Sequence, residues 1–217
     1  MFLKTLIFPS MKVKCFFFFL LFFNLIYSQS KYALDPRIDL ITDYIDVAYE
    51  GYDFSSYIYI GVKRQKLYHV KKGSFLKIYD VSTAINGAGN DIQSFKTPIG
   101  LHEIHEKIGD DLPIGALFKY KHFTGDVLEI LADTIPTDSV SDAITTRVMT
   151  LKGLENGVNI GSSKFDTQYR GIYIHGTNEE GLIGKPASHG CIRMKNTEII
   201  ELFNAVNIGC KVIVLDN

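Results

Sequence analysis

Short runs rich in valine, isoleucine, tyrosine and phenylalanine, separated by turn-forming residues, dominate the chain from residue 56 onward. Runs of this length with β-branched and aromatic side chains favour strands over helices, and the glycine, asparagine and aspartate between them favour turns. Such a chain must bury its strands in a sheet. The runs that predict strands are 56–62, 66–70, 74–81, 101–104, 145–151, 171–174 and 212–215.

Two segments show helical spacing instead. Apolar residues recur at intervals of three and four after Pro36 and again after Asn196, which predicts an amphipathic helix at each place. Asparagine is a common helix cap, so we expect the Asn196 side chain to cap the second helix. Polar, glycine-rich composition predicts loops at 83–94, 106–115, 123–126 and 156–167. Together these patterns predict one mainly β domain with a few helices (α+β) over residues 56–217, after a helical lead-in over residues 29–55.

The first 28 residues have the features of an export signal. Lysines among residues 11–14 precede an apolar run over residues 16–26, and Ser28 offers a small residue for cleavage. The apolar run has about 11 residues, whereas a membrane-spanning helix needs roughly 20. We therefore predict a signal peptide over residues 1–28 and an exported protein without a stable membrane anchor after cleavage. An uncleaved anchor is the alternative.

Charge and cysteine content narrow the function classes. Removing residues 1–28 takes three of the 23 basic residues, which leaves 20 against 24 acidic ones and a net charge of about −4. Without a basic patch, nucleic acid is not expected as a partner. Cys191 and Cys210 alone remain, which does not predict a disulfide scaffold. Cys210 lies in an apolar run and is expected to be a small buried residue, although a bridge to Cys191 is the alternative.

Two His-Gly pairs and a cysteine mark the candidate site. A predicted strand ends at His175-Gly176. A loop that contains glycine and proline follows and leads to His189-Gly190-Cys191, so the cysteine can come close to the first histidine. A thiol with a nearby imidazole is the minimum equipment for acyl transfer. His175 is better placed than His189 to act as an independent base. Gly190 leaves space for a substrate backbone, and nearby N–H groups could stabilise an oxyanion.

Other interpretations of these residues stay open at this stage. Arg193 could bind a substrate carboxylate through two parallel hydrogen bonds, or it could pair with a neighbouring acid. The histidines and Cys191 could form a buried structural cluster or a zinc site, with His102 and His105 as further ligands. The spacing matches no zinc-finger or HExxH pattern. His102 and His105 by themselves are expected to be surface or loop histidines.

The sequence around this site resembles the L,D-transpeptidase catalytic domain family of the YkuD type. The similarity lies in SHGCIRM at residues 188–194, IHGT at 174–177 and TPIG at 97–100, with TRVM at 146–149 and GLE at 153–155 between them. It covers residues 57–215. Several motifs in the same order make the resemblance specific, whereas one His/Cys pairing would not.

The resemblance implies a β-sandwich of this family's type with the active site in a groove at one end of a sheet. It implies Cys191 as the nucleophile and His175 as the proton donor and acceptor, with the Gly176 carbonyl orienting His175. Ser188, His189 and Gly190 match positions that shape the turn before the nucleophile. Arg193 matches a position that supports the site or a substrate carboxylate. Neither a cofactor nor a metal is implied.

The implied substrates are peptidoglycan stem peptides, as donor and as acceptor. Cys191 would attack the bond before the D-Ala at position four of one stem, and an amine of a second stem would take the acyl group to form a 3→3 cross-link. Water as the acceptor would make the protein a carboxypeptidase or endopeptidase, and a protein lysine would make it a tethering enzyme. A non-catalytic wall-binding domain is the alternative outside the enzymes. We expect the periplasm or cell envelope as its location, and residues 103–119 and 178–186 as the loops that select the acceptor.

Overall fold

The computed structural model describes residues 36–71, 74–132 and 142–217. The chain divides into two compact units, Met1–Glu50 and Gly51–Asn217. In the first unit, helix α1 spans Pro36–Ala48, as its apolar spacing predicts. The predicted signal peptide lies outside the described residues, as do residues 29–35 of the lead-in. In the part of the chain that is described, none of the helices is long and apolar enough to span a membrane.

The second unit is built on one ten-stranded sheet, which confirms the predicted mainly β fold with a few helices. Its main path runs in the order β3-β2-β1-β10-β4-β7-β5-β6, and β8 and β9 branch from β7. The strands are β1 (Ser56–Gly61), β2 (Lys66–Lys71), β3 (Ser74–Asp80), β4 (Gly100–Ile108), β5 (Ala116–Lys119), β6 (His122–Val127), β7 (Ile144–Gly153), β8 (Tyr173–Gly176), β9 (Ile192–Met194) and β10 (Lys211–Leu215).

The long strand β7 is where the sheet forks. Residues 148–153 of β7 pair antiparallel with β4, and residues 145–150 pair antiparallel with β8 along its other edge. Strand β9 then adds parallel to β8. The fork carries the chain segments around His175 and Cys191 away from the main path of the sheet, side by side. Helix α2 (Asn196–Ala205) follows β9 directly.

Strands β1 and β10 lie in the middle of the sheet, and both of their faces are covered. They pair in parallel, and Tyr57 to Gly61 of β1 are all buried. Continuous burial explains why these strands are apolar without alternation. The main core joins them to β4, β7, β8, β9 and α2; its fully buried members include Ile58, Ile60, Ile104, Met149, Leu151, Ile174, Ile192, Leu202, Val212 and Val214.

Two predicted loop stretches contain strand. Strand β4 continues to Ile108, beyond a bulge between Ile104 and Glu106, because residues 106–108 pair with residues 148–150 of β7. Strand β6 pairs with β5 but is exposed along its whole length. An exposed strand needs no apolar alternation, so its polar sequence gave no strand signal. The prediction of loops at 106–115 and 123–126 is therefore wrong where these strands run.

Helix α2 begins where the sequence predicts, but the Asn196 side chain does not cap it. Lys195 is the N-cap residue and makes no side-chain capping bond. Asn196 is buried, its Oδ1 accepts hydrogen bonds from the hydroxyls of Thr145 and Thr146, and its amide donates to the Thr177 carbonyl at 2.7 Å. The capping acceptor is Oε1 of Glu180, 2.7 Å from the Asn196 backbone nitrogen. Asn196 thus ties α2 to β7 and β8.

The TPIG turn is held by a residue from a distant part of the chain. Gly100 has a φ of +102°, and a Cβ there would overlap Oε1 of Glu155 and lie 2.9 Å from Nδ2 of Asn159. The Glu155 carboxylate accepts the N–H of Leu101. Both the positive φ and the close approach therefore require glycine at residue 100.

We expect Gly100→Ala to lower the free energy of unfolding by about 3 kcal/mol, because it combines backbone strain with a steric clash. Gly125→Ala is the matched control: its φ is +94°, but nothing lies within 4 Å of the added Cβ. That control should lose only about 1 kcal/mol, the cost of strain alone. Urea denaturation of both variants measures the difference. Equal losses would show that the contact with Glu155 and Asn159 contributes nothing.

Candidate active site

His175 is a buried residue of β8 whose hydrogen bonding fixes its tautomer. Its Nδ1 lies 2.7 Å from the Gly176 carbonyl oxygen. A carbonyl only accepts hydrogen bonds, so Nδ1 carries the hydrogen and Nε2 keeps its lone pair. Nε2 is buried, and the described residues offer it no hydrogen-bond partner. Burial lowers the pKa of His175, although Asp142 and the Gly176 carbonyl oppose that shift, so the imidazole is neutral at neutral pH.

Cys191 stands immediately before β9, with its sulfur between two backbone groups. The Tyr173 N–H donates to Sγ at 3.4 Å, and the thiol donates to the Gly171 carbonyl at 3.6 Å. The pKa of the Cys191 thiol is raised to about 12, chiefly by burial and also by Asp142, against the opposing effects of the Tyr173 N–H and the charges of Arg193 and Arg170. The resting thiol is therefore protonated.

The register of β8 and β9 puts both groups on one face of the sheet. His175 pairs with Arg193 in this parallel ladder, and Ile174 pairs with Ile192. One step back in the same register, Cys191 comes opposite Tyr173. Cross-strand neighbours share a face, and so do alternate residues of a strand. Cys191 lies one residue outside β9, but its side chain packs in the same small cluster as Tyr173, which shares a face of β8 with His175.

Ser188 and Gly190 form the turn that leads to Cys191. The Ser188 hydroxyl donates to the Cys191 carbonyl at 2.6 Å and accepts the Gly190 N–H at 3.2 Å. Gly190 has a φ of +136°, and a Cβ there would lie 3.0 Å from Cδ1 of Ile172. The turn therefore requires glycine. Among the N–H groups near the nucleophile, that of Gly190 is bound to the Ser188 hydroxyl.

Asp142 joins two of the predicted site residues. Its Oδ1 accepts from Nε of Arg193 at 2.5 Å, and its Oδ2 accepts the His189 backbone N–H at 2.9 Å and lies 3.2 Å from Nδ1 of the same residue. Arg193 is 3% exposed and also donates to Glu179 at 3.1 Å. Burial alone would raise the pKa of Asp142, but the charges of His175 and Arg193 and the His189 N–H outweigh it and lower the pKa.

These contacts favour one of the two interpretations of Arg193. Two carboxylates hold its guanidinium under the turn, so Arg193 pairs with neighbouring acids. Asp142 has no signal in the sequence, because it lies in a polar stretch 47 residues before His189 and belongs to no motif. Only the fold brings Asp142 to the turn.

A cavity of about 340 Å³ opens beside the turn, lined by Ile85, Asn86, Phe95, Ser188 and His189. Three of its lining residues, Ile85, Asn86 and Phe95, belong to the segment over residues 83–97, which contains the predicted loop at 83–94 and is here called the 83–97 loop. The loop is fixed to the turn by backbone bonds, from Ser188 N–H to the Thr83 carbonyl and from Ile85 N–H to the Ser188 carbonyl, each 3.0 Å. The rings of Phe95 and His189 meet edge to face with centroids 5.9 Å apart. Neither loop predicted to select the acceptor lines this cavity.

The remaining histidine and cysteine candidates lie apart from the turn. His102 is buried in β4, where Nδ1 bonds the Gly100 carbonyl and Nε2 the Thr167 hydroxyl, each at 3.0 Å, so the prediction of a surface or loop histidine is wrong for it. Across residues 36–71, 74–132 and 142–217, no three His, Cys, Asp or Glu side chains are grouped to hold a metal. Cys191 and Cys210 are both free, and Cys210 packs against the main core.

Comparison with known proteins gives one consistent family. The family model of the L,D-transpeptidase catalytic domain (YkuD) matches residues 55–214. Two proteins of Bacillus subtilis named as L,D-transpeptidases are similar: YqjB is 43% identical over 27% of this chain, and YkuD is 54% identical over 18%. The matches span 33% and 24% of those relatives. The crystal structure of an L,D-transpeptidase from Xylanimonas cellulosilytica is 17% identical, over 80% of this chain and 68% of that one, with a TM-score of 0.45.

Proposed function

The chain belongs to the L,D-transpeptidase catalytic domain family, and on that premise we propose that it is an exported cysteine transpeptidase of peptidoglycan stem peptides. The observation that carries the proposal is the state of His175: its Nδ1 bonds the Gly176 carbonyl, and its Nε2 has no partner among the residues that the structure describes. The His175 side chain lies on the face of β8 that also carries Tyr173, against which Cys191 packs. A thiol and an imidazole lone pair so placed are equipped for acyl transfer. A binding domain would need neither.

In the first half of the proposed reaction, the bond before D-Ala in a tetrapeptide stem is broken. The Cys191 sulfur attacks the carbonyl carbon while Nε2 of His175 takes the thiol proton. The tetrahedral intermediate collapses as the C–N bond breaks, and His175 returns the proton to the departing D-Ala amine. A thioester on Cys191 remains. Because the thiol and the imidazole are both neutral at rest, the proton moves during attack rather than before it.

In the second half, an amine of another stem attacks the thioester carbonyl. His175 takes a proton from that amine, the C–S bond breaks, and the proton passes to the sulfur, which restores the thiol. The product is a 3→3 cross-link. Asp142 favours the transient imidazolium through its negative charge, as its effect on the pKa of His175 indicates. The cavity beside His189 offers a partly apolar surface for a stem peptide.

The test is mass spectrometry of a disaccharide-tetrapeptide incubated with the wild-type protein and with Cys191→Ala. We expect a dimer that has lost one D-Ala in the wild type and no dimer with the variant. Cys210→Ala is the control, because it removes a free thiol outside the site, and it should behave as the wild type. Tripeptide without dimer would mean that water is the acceptor. Equal products with and without Cys191 would contradict the proposal.

Export is part of the proposal and is supported by the basic, apolar and small-residue pattern of residues 1–28. The substrate is a component of the cell envelope, so the two parts of the proposal agree. Cell fractionation and N-terminal sequencing of the protein made in its own cells would test this part, with a new N-terminus close to residue 29 in the envelope fraction as the expected result. An intact N-terminus in the cytoplasmic fraction would contradict it.

A further inference from the structure

Arg170 is a charged side chain that the reaction described above does not use. It lies just before β8, and its guanidinium donates to three backbone carbonyls of the 83–97 loop: Gly89 at 3.0 Å, Asn90 at 2.9 Å, and Lys96. Burial lowers the pKa of Arg170, opposed by Cys191 and Asp91. Keeping this cation beneath the loop therefore carries a desolvation cost.

Two contacts link the surroundings of Arg170 to the turn before the nucleophile. The Lys96 carbonyl that accepts from Arg170 lies 3.3 Å from the position that a Cβ of Gly190 would take. The carbonyl of Gly171, the residue that follows Arg170, accepts a hydrogen bond from the Cys191 thiol. Arg170 thus touches the 83–97 loop at the point where the loop meets the turn before Cys191, and its own chain segment supports the sulfur.

The charges around Cys191 are unequally compensated. The charges of Asp142, Arg193 and Arg170 and the Tyr173 hydroxyl all interact electrostatically with the sulfur. Arg193 is already held by two carboxylates, Asp142 and Glu179. The bonds of Arg170 to the loop go to neutral carbonyls, which do not cancel its charge. Arg170 therefore adds a second positive field, beside that of Arg193, that a negative charge on the sulfur would feel.

We propose that Arg170 is a positioning residue for the thioester chemistry, which holds the 83–97 loop against the nucleophile turn and keeps a positive charge beside the Cys191 sulfur. The inference rests on the proposed function for its biological meaning. This charge stabilises the negative charge that develops on the sulfur as His175 takes the proton during the attack, so the attack on the stem peptide is easier.

A second arginine provides a matched control. Arg147 also donates to three backbone carbonyls, those of Asp110, Leu112 and Thr146. Burial lowers its pKa as well, but the opposing charges are Asp110 and Asp111, and Cys191 is not among them. Replacing Arg147 therefore removes a buried arginine with the same kind of bonds while the charge at the sulfur stays.

The experiment measures the rate of alkylation of Cys191 by iodoacetamide in the full-length protein, between about pH 7 and pH 9, with the modified peptide assigned by mass spectrometry. We expect Arg170→Gln to slow alkylation about tenfold, because loss of a neighbouring opposite charge raises a pKa by about one unit. Arg170→Lys keeps the charge and should stay within about threefold of the wild type. Arg147→Gln should stay within about twofold. Cys210 in the same molecules is the internal reference.

Three results would overturn the inference: an unchanged or faster rate in Arg170→Gln, an equal slowing in Arg147→Gln, or a tenfold slowing in Arg170→Lys. The lysine variant decides the matter if Arg170→Gln does not fold. Alkylation needs no stem peptide, so failure here is distinguishable from failure of the proposed function. A protein that cross-links stems but shows equal alkylation rates would keep its function and lose this role for Arg170.

Discussion

Cys191→Ser is expected to lose at least about a thousandfold in the rate of D-Ala release, the scale of losses when a nucleophile is removed from a catalytic pair. The site disfavours ionisation, since burial already raises the pKa of the thiol to about 12. A hydroxyl is far less acidic than a thiol, and burial lowers the pKa of His175, so His175 is a weak base. The serine variant should keep the structure of the turn but lose the attack on the stem peptide.

The same substitution at the other free cysteine is the control. Cys210→Ser changes a partly buried thiol that packs on the main core, away from the turn. Its rate per folded molecule should stay within about twofold of the wild type. A Cys191→Ser rate within tenfold of the wild type would show that the sulfur does not carry the reaction.

His175→Gln is expected to lower kcat for D-Ala release by about 10²- to 10⁴-fold, the usual contribution of a general base. Glutamine is of similar size and can still bond the Gly176 carbonyl, but it has no basic nitrogen. KM should change little, because Nε2 acts on a proton that moves during attack. His102→Gln is the control, since His102 is also buried and also bonds a carbonyl through Nδ1, but it lies in β4 away from Cys191.

The wild-type pH profile checks the same assignment. The base works only as neutral imidazole, and burial lowers the pKa of His175 below its ordinary value of 6.5. The rate should therefore stay level through neutral pH and fall only as the pH drops below 6.5. His102 is also neutral in that range, because burial lowers its pKa to about 4. An acid limb with its midpoint at or above 6.5 would contradict a buried, neutral base.

Most of the secondary structure could be predicted from local sequence patterns. The strands around β1, β2, β3, β7 and β10 and both helices could be predicted, because apolar runs and helical spacing record burial directly. The exposed strand β6 could not be predicted, because an exposed strand leaves no apolar trace. The cap of α2 could not be predicted either, because the acceptor is the side chain of Glu180 rather than that of Asn196.

Some residues of the candidate site could also be predicted from the sequence, and others could not. His175, Ser188, Gly190 and Cys191 stand in two short segments, so their proximity could be predicted from a strand and a returning loop. Asp142 and Arg170 could not be found, because they reach the turn through long-range packing and belong to no motif. Polar residues that support a site from outside its motifs are identified by their hydrogen-bond partners, which only the fold reveals.

The most direct test of a thioester enzyme is the intact mass of the protein, quenched in acid during its first turnover with a tetrapeptide donor. We predict that the protein gains the mass of the donor less D-Ala, that digestion places this mass on the peptide containing Cys191, and that Cys191→Ala gains nothing. Release of D-Ala without an adduct on Cys191, or an adduct on Cys210 instead, would contradict the account.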